Sequence, residues 1–265
     1  MVNFKDRLVF ITGAASGIGK AITLQLAKEG ARLIIADRAL EDVKKVQEEC
    51  LKHTPFCETI TFDLNNPSEV TSAASSVLKK YGPIYLLINN GGISQRSLAF
   101  ETPIELDRKI MEIDFFSYVI LTKAFLPSMI ERKEGYIAAT SSLSGKFGFH
   151  QRSAYAAAKH AIQGYFETLR MELKPHGISV TIAYPGSINT NISVNAVEKD
   201  GNQHGVMDPA QSKGMSAEDC AKHYIKAIKK GRPEVLIGGK EFIMFHLKRF
   251  FPRLFFKLIS KVKPT

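Results

Sequence analysis

Residues 8–30 read "LVFITGAASGIGKAITLQLAKEG": a short apolar, β-branched run, a turn with glycines at 13, 17 and 19, then a helical pattern that stops at Gly30. A strand feeding through a glycine-rich turn into a helix is the opening of a βαβ unit. Glycine lets the backbone turn tightly and approach a ligand, and the amides and dipole of the helix N-terminus favour an anion such as a pyrophosphate. Such turns are common between strand and helix, so the stretch alone leaves phosphate binding open.

The same alternation continues outward. Strand-like runs occur at 8–12, 32–37, 58–64, 85–90, 136–142, 179–186 and 234–239, with amphipathic helical segments between them. Their near-continuous apolar character fits a parallel sheet covered on both faces. Asn66-Pro67 reads as a helix start, Thr102 with Glu105 as a capping box, and Gly30 and Gly82 as helix ends. The expected fold is therefore α/β: one doubly wound domain of about seven strands over 1–239, with a polar segment at 187–216 and a basic-aromatic helical tail at 240–265.

Charge and cysteines narrow the function classes. The formal net charge is +10, but the tail holds seven Lys/Arg against one Glu, so most of the excess is local and a nucleic-acid role is not expected. Cys50, Cys57 and Cys220 match no metal spacing and suit a reducing, cytoplasmic compartment. No secretory signal and no 18-residue apolar span is expected. The tail packs six Phe and seven Lys/Arg into residues 240–263, divided by Pro252. That composition suits peripheral contact with an anionic membrane surface, the alternative being an arm packed on a partner subunit.

Three carboxylates and one pair carry the chemistry. Asp37, at the end of the second strand, lies where an acid can accept from both ribose hydroxyls of a bound dinucleotide; its charge repels a 2′-phosphate, whereas the adjacent Arg38 could bind one. NAD is expected, with NADP the alternative. Asp63 either bonds the adenine amino group or serves the entry of the helix at Pro67. Asp114, in "MEIDFFSYV", shares a helical face with Ile110, Ile113, Ser117 and Leu121, a face that should be buried, so the charge needs a partner or a task. Tyr155 and Lys159 stand four residues apart on a helix; an ammonium one turn from a phenol favours its ionised form and makes it a usable acid or base.

"TGAASGIG", Asp37, "NNGG" at 89–92, Ser142 thirteen residues before Tyr155, Lys159 and "PGSINT" at 185–190 together resemble the short-chain dehydrogenase/reductase family over about residues 6–239. "IMEIDFFSYVILTKAFLPSMI" and "NISVNAVEKDGNQHGVMD" resemble its subgroup containing 11β-hydroxysteroid dehydrogenase and dehydrogenase/reductase member 7B. The resemblance implies a Rossmann-type fold, an oxidoreductase acting on a hydroxyl or carbonyl of a hydrophobic, lipid-like substrate such as a steroid, retinoid or fatty compound, and a homodimer or homotetramer. It implies that Tyr155 exchanges the proton with the substrate oxygen, that Ser142 donates a hydrogen bond to that oxygen, and that Lys159 assists Tyr155 and holds the nicotinamide ribose. The cofactor cradle would comprise Gly13, Ser16, Gly17, Ile18, Gly19, Asp37, Arg38, Asp63, Leu64, Asn90, Gly91, Tyr155, Lys159, Pro185, Gly186, Ile188 and Thr190, with no metal.

Two departures from the family pattern stand out. Gly91 replaces the usual Ala, which leaves the loop able to turn. Asp114 replaces the usual Asn, which in the family distorts the helix so that a main-chain carbonyl holds a water linking the lysine to solvent. An Asp could keep the kink if protonated or pair with Lys159 if ionised. The rival expectation is a cofactor-bound protein with little turnover. The 187–216 segment is expected to act as a substrate lid through Ile192, Val194, Val197, Val206 and Met207, and Phe147 and Phe149 to form either an apolar wall or core.

Overall fold

The computed structural model describes residues 2–259. Seven strands form one parallel sheet in the order β3-β2-β1-β4-β5-β6-β7: β1 Leu8–Thr12, β2 Arg32–Ala36, β3 Cys57–Ile60, β4 Leu86–Asn89, β5 Gly135–Thr140, β6 Ile178–Pro185 and β7 Glu234–Ile237. The sheet and strand count are as expected. β3 is shorter than the 58–64 run because β2, its single neighbour, ends at Ala36 opposite Ile60, so residues beyond have no ladder to join. Asp63 therefore sits in a turn rather than on the strand.

Alternation within each strand builds two cores. In β1, Val9 and Ile11 face one side and Leu8 and Phe10 the other. The first side is covered by α1 (Gly17–Lys28), α2 (Leu40–Cys50) and α8 (Ala217–Lys229), the last preceded by the single-turn α7 (Pro209–Ser212), through Ile22, Leu26, Val43, Tyr224 and Ile228. The second is covered by α3 (Pro67–Tyr81), α5 (Ser117–Arg132) and α6 (Ser153–Leu173), through Val70, Val77, Leu121, Phe125, Ile162 and Phe166. All three free thiols are buried in this body.

Helix punctuation is partly as expected. Asn66 caps α3 by accepting from the Ser68 and Glu69 amides, and Gly30 and Gly82 take φ of +78° and +80° after their helices. The capping box at Thr102 does not form. Helix α4 (Ile104–Met111) begins after Pro103, whose ψ of 142° is extended, so Thr102 lies outside it and its hydroxyl donates instead to the Leu98 carbonyl. A π turn (Glu112–Phe116) joins α4 to α5. The continuous helical run Ile104–Arg132 contains an 18-residue window of mean hydropathy 1.4, contrary to the expectation of no such span. By length and composition it could cross a membrane, yet Tyr118, Leu121, Phe125 and Met129 are fully buried against the sheet, as in a core helix.

The tail forms α9 (Phe242–Phe250) and α10 (Pro252–Ile259), divided at Pro252, and folds back on the body. Phe255 is 2% exposed and packs edge-on against Phe147 at 5.1 Å. Phe147 is thus core rather than a wall of the site. Lys261 and Lys263, part of the cationic count, lie outside the described residues.

Candidate active site

The strand order reverses between β1 and β4, and at such a point the C-terminal ends of the strands open a crevice. The turn after β1 lies against the turn after β4. Thr12 Oγ1 accepts from the Asn90 and Gly91 amides at 3.0 Å each, and Asn90 Nδ2 donates to the Thr12 carbonyl at 3.2 Å. A Cβ on Gly13, whose φ is +66°, would come within 2.6 Å of Gly91 Cα, so this crossing admits no side chain. Gly91, where the family has Ala, is under milder constraint: a Cβ there would meet the flexible Leu64 Cδ1 at 2.6 Å.

A cavity of about 480 Å³ runs from this crossing in both directions. At one end lie Ser16, Gly17, Ile18, Gly19, Asp37, Arg38, Asp63 and Leu64. Asp37 is oriented by two backbone amides, Ala15 onto Oδ2 at 3.0 Å and Ala39 onto Oδ1 at 3.1 Å. Asp63 Oδ1 accepts from the Asn65 amide at 2.9 Å, a turn at the entry to α3, while the residue also lines the cavity. On the other side lie Ser142, Tyr155, Lys159, Pro185, Gly186 and Ile188, while Thr190 closes back over the glycine turn, where a Cβ on Gly17 would lie 3.2 Å from its Cγ2. One cavity therefore collects every residue named from the sequence for the cofactor and the chemistry.

Hydrogen bonding distinguishes Ser142 from its neighbour Ser141. Ser141 Oγ is spent on the Lys159 carbonyl at 2.9 Å, whereas Ser142 Oγ accepts from the Ser144 amide at 3.1 Å, which leaves its own proton free to donate. Tyr155 and Lys159 lie on α6, whose N-terminus is capped from outside: Gln95 Oε1 accepts from the Ala154 and Tyr155 amides at 2.9 and 3.3 Å. Gln95, on the loop after β4, escaped the sequence reading because no local pattern ties it to a helix start 58 residues away.

Asp114 is fully buried, as are Ile110, Ile113, Ser117 and Leu121 on its face. Its Oδ1 accepts from the Ile93 amide at 2.8 Å and its Oδ2 lies 3.0 Å from Lys159 Nζ in a buried ion pair. Gly92 makes room for it, since a Cβ there would sit 3.0 Å from Oδ2. The π turn falls on Asp114 itself, so the local distortion is present with the acid in place. Burial raises the Asp114 pKa, opposed by the Lys159 charge and the Ile93 amide. For Lys159, burial is the largest single influence and pulls downward, but the charge of Asp114, joined by Tyr118 and Tyr155, outweighs it and the ammonium is held above its ordinary value. Lys159 Nζ also donates to the Thr140 carbonyl at 3.2 Å and stands 5.5 Å from the Tyr155 ring centre.

The 187–216 segment borders the site. Ile192 lines the cavity, Val197 packs on Leu106, Ile110 and Ala158, and Val206 is exposed. Its buried Asp208 meets Arg96 and Arg152, neither of which the sequence reading named. Phe147 and Phe149 do not line the cavity.

The short chain dehydrogenase family profile matches residues 7–201. The chain belongs to the short-chain dehydrogenase/reductase family. It is 38% identical to dehydrogenase/reductase SDR family member 7B of Mus musculus over 97% of this chain and 81% of that protein. Among solved structures, a short-chain dehydrogenase/reductase from Burkholderia phymatum in complex with NAD superposes with a TM-score of 0.85 at 22% identity, covering 96% of each chain. A metagenomic short-chain oxidoreductase in complex with NADP superposes with a TM-score of 0.75 at 24% identity, over 89% of this chain and 98% of that one. As a short-chain dehydrogenase/reductase, the chain is of an oxidoreductase family, and its subgroup is the one its "IMEIDFF" and 187–216 segments resembled.

Proposed function

We propose that this protein is an NAD-dependent oxidoreductase that interconverts a hydroxyl and a carbonyl on a hydrophobic, lipid-like molecule, working at a membrane surface. The observation that carries the reading is the single cavity with the Gly13–Gly19 turn and Asp37 at one end and Ser142, Tyr155 and Lys159 at the other. A dinucleotide fits this arrangement. The bare crossing of Gly13 and Gly91 lets a pyrophosphate approach the N-terminus of α1, and Asp37, fixed by two amides, offers its remaining lone pairs to ribose hydroxyls. Structural neighbours with either cofactor support a nicotinamide dinucleotide, and Asp37 favours the one without a 2′-phosphate. Arg38, exposed at the rim, keeps NADPH as the second reading.

When bound, the nicotinamide supplies or accepts the hydride. The chain supplies the proton and the charge stabilisation. Tyr155 passes its hydroxyl proton to the substrate oxygen as negative charge develops there, and Ser142, its lone pair engaged by the Ser144 amide, donates a second hydrogen bond to the same atom. Lys159, kept cationic by Asp114, sets a positive charge behind Tyr155. The exposed apolar residues Ile243, Phe250, Phe251, Leu254 and Phe256, set among Lys248, Arg249 and Arg253, support attachment to an anionic bilayer, and free buried thiols are consistent with its cytoplasmic side.

The test is turnover of a panel of steroid, retinoid and fatty alcohols and ketones with each cofactor, by the wild type and Tyr155→Phe. Loss of the proton donor should lower kcat/KM by about 10²-fold or more while nucleotide binding persists. Equal turnover by the variant would refute the assignment.

A further inference from the structure

The reaction end of the cavity holds more positive charge than its acids neutralise. Lys159 is matched by Asp114. Arg96 and Arg152 share one carboxylate: Arg96 Nη2 and Arg152 Nη2 both meet Asp208 Oδ2, the latter at 2.9 Å. Both arginines line the cavity and Asp208, 2% exposed, lies behind them. Arg96 is itself only 6% exposed; its Nη1 is spent on Ser94 Oγ at 3.0 Å and the Gln95 carbonyl at 2.6 Å, yet its Nε is buried with no acceptor.

A latch that merely held the 187–216 segment down would need one cation for one carboxylate. A second guanidinium beside the first adds repulsion and desolvation with no return. The cost is visible at Arg152, where burial first and the Arg96 charge second hold the guanidinium below its ordinary pKa. A bound anion would remove it. The dinucleotide's own phosphates belong at the Gly13–Gly19 turn, where α1 begins. Arg152, by contrast, is the cap residue of α6, three positions before Tyr155; it lines the same cavity and is near enough to feel the Tyr155 hydroxyl's charge.

Resting on the oxidoreductase reading, we propose that the substrate carries an anionic group, a carboxylate or a phosphate ester, a few carbons from the reacting carbon, and that Arg96 and Arg152 bind it. The substrate is then an amphiphile rather than a neutral lipid, and Asp208 is the internal anion that holds both guanidiniums in place until it arrives.

The experiment uses the full chain with NADH and NADPH. Reduction of 4-oxodecanoate is compared with 4-oxodecanamide, and that of 4-oxodecyl phosphate with 4-oxodecanol, by the wild type, Arg152→Gln, Arg152→Lys and Asp208→Asn. Binding of octanoate, octyl phosphate and octanol is measured by calorimetry in parallel. The expected result is an anion-over-neutral ratio in kcat/KM of tenfold or more in the wild type, cut at least tenfold by Arg152→Gln, partly kept by Arg152→Lys and raised by Asp208→Asn, which removes the competing carboxylate. The arm with the larger ratio identifies carboxylate or phosphate. A ratio near one in both arms, a preference that survives Arg152→Gln, or equal binding of the three octyl compounds overturns the proposal. Anion binding that depends on Arg152 without turnover of any ketone upholds the anion site and sinks the oxidoreductase reading.

Discussion

Asp114→Asn restores the residue usual in the family and removes one charge from a buried pair, so its effect can be worked from the geometry. The two charged groups are 3.0 Å apart, with Lys159 4% exposed and Asp114 not at all. At an effective dielectric of about 20 the lost attraction is roughly 5 kcal/mol, or about 4 pKa units. Relaxation of the pocket and the retained Thr140 carbonyl reduce this, but burial, the largest influence on the ammonium, is then opposed only by the Tyr118 and Tyr155 hydroxyls, so the Lys159 pKa is expected to fall below its ordinary value. Asparagine cannot compensate fully, since the Ile93 amide and the ammonium meet different oxygens of the acid and one of those two positions becomes an NH2 donor.

The sign of the pH dependence follows. In the wild type the folded Lys159 pKa lies above the ordinary 10.5, so its contribution to stability is complete below that value and is lost only as pH rises through the folded one. In Asp114→Asn the folded value falls below 10.5; the unfolded chain then binds the proton more tightly, and stability rises with pH up to that point. The variant is therefore less stable at pH 7, and the deficit narrows toward pH 10. The Asp114 pKa is itself raised from 3.8, so the wild type also loses the stability of the protonated carboxyl as pH climbs from about there through the folded value, a slope absent from the variant. Urea unfolding from pH 4 to 10 reads both slopes, and the alkaline limb of kcat/KM should move acidward by at least about one unit. A stability deficit constant from pH 7 to 10, with superimposable activity profiles, would refute the pairing argument.

Two further outcomes are expected. Asp37→Asn keeps an acceptor for the Ala15 or Ala39 amide but removes the charge facing the 2′ position, so NADPH binding followed by nicotinamide fluorescence should tighten about tenfold relative to NADH; an unchanged ratio would place cofactor choice elsewhere. Replacing Phe250 and Phe251, 65% and 63% exposed, by Ser should leave the fold intact and cut sedimentation with vesicles containing phosphatidylserine at least tenfold; equal pelleting would remove the membrane role of α9 and α10.

What was legible in the sequence depended on how far apart the partners lie. The sheet, the glycine turn, and the Tyr155–Lys159 pair rest on contacts within a few residues or on runs of one polarity, and those survive in a linear reading. Asp114 was legible as an anomaly, because one carboxylate interrupts an apolar helical face, and its partner was among the two alternatives posed. Arg96, Arg152 and Asp208 were not legible. Arg96 and Asp208 lie 112 positions apart, and each reads as an ordinary surface charge until the fold brings them together. The capping box at Thr102 failed for a local reason, since Pro103 moves the helix start past it.

The tail shows how a composition can be read correctly and its placement still be missed. Six phenylalanines among basic residues suit a bilayer or a partner subunit, and neither reading considers the body of the same chain. The fold divides them: Phe255 turns inward onto Phe147 and Leu143, while Phe250, Phe251 and Phe256 stay exposed. Glu241, just before α9, accepts from the Ser187 amide at 2.9 Å, beside the Pro185–Gly186 turn of the cavity, and Leu143 directly follows Ser142. The tail therefore braces two walls of the reaction end from behind while presenting its apolar side outward. Anything that draws α9 and α10 into a bilayer must either carry the catalytic turns with it or break the Phe255 contact. The rigid alternative costs no core burial, so a membrane-bound form should keep the site assembled at the interface, where an amphiphile meets the cavity.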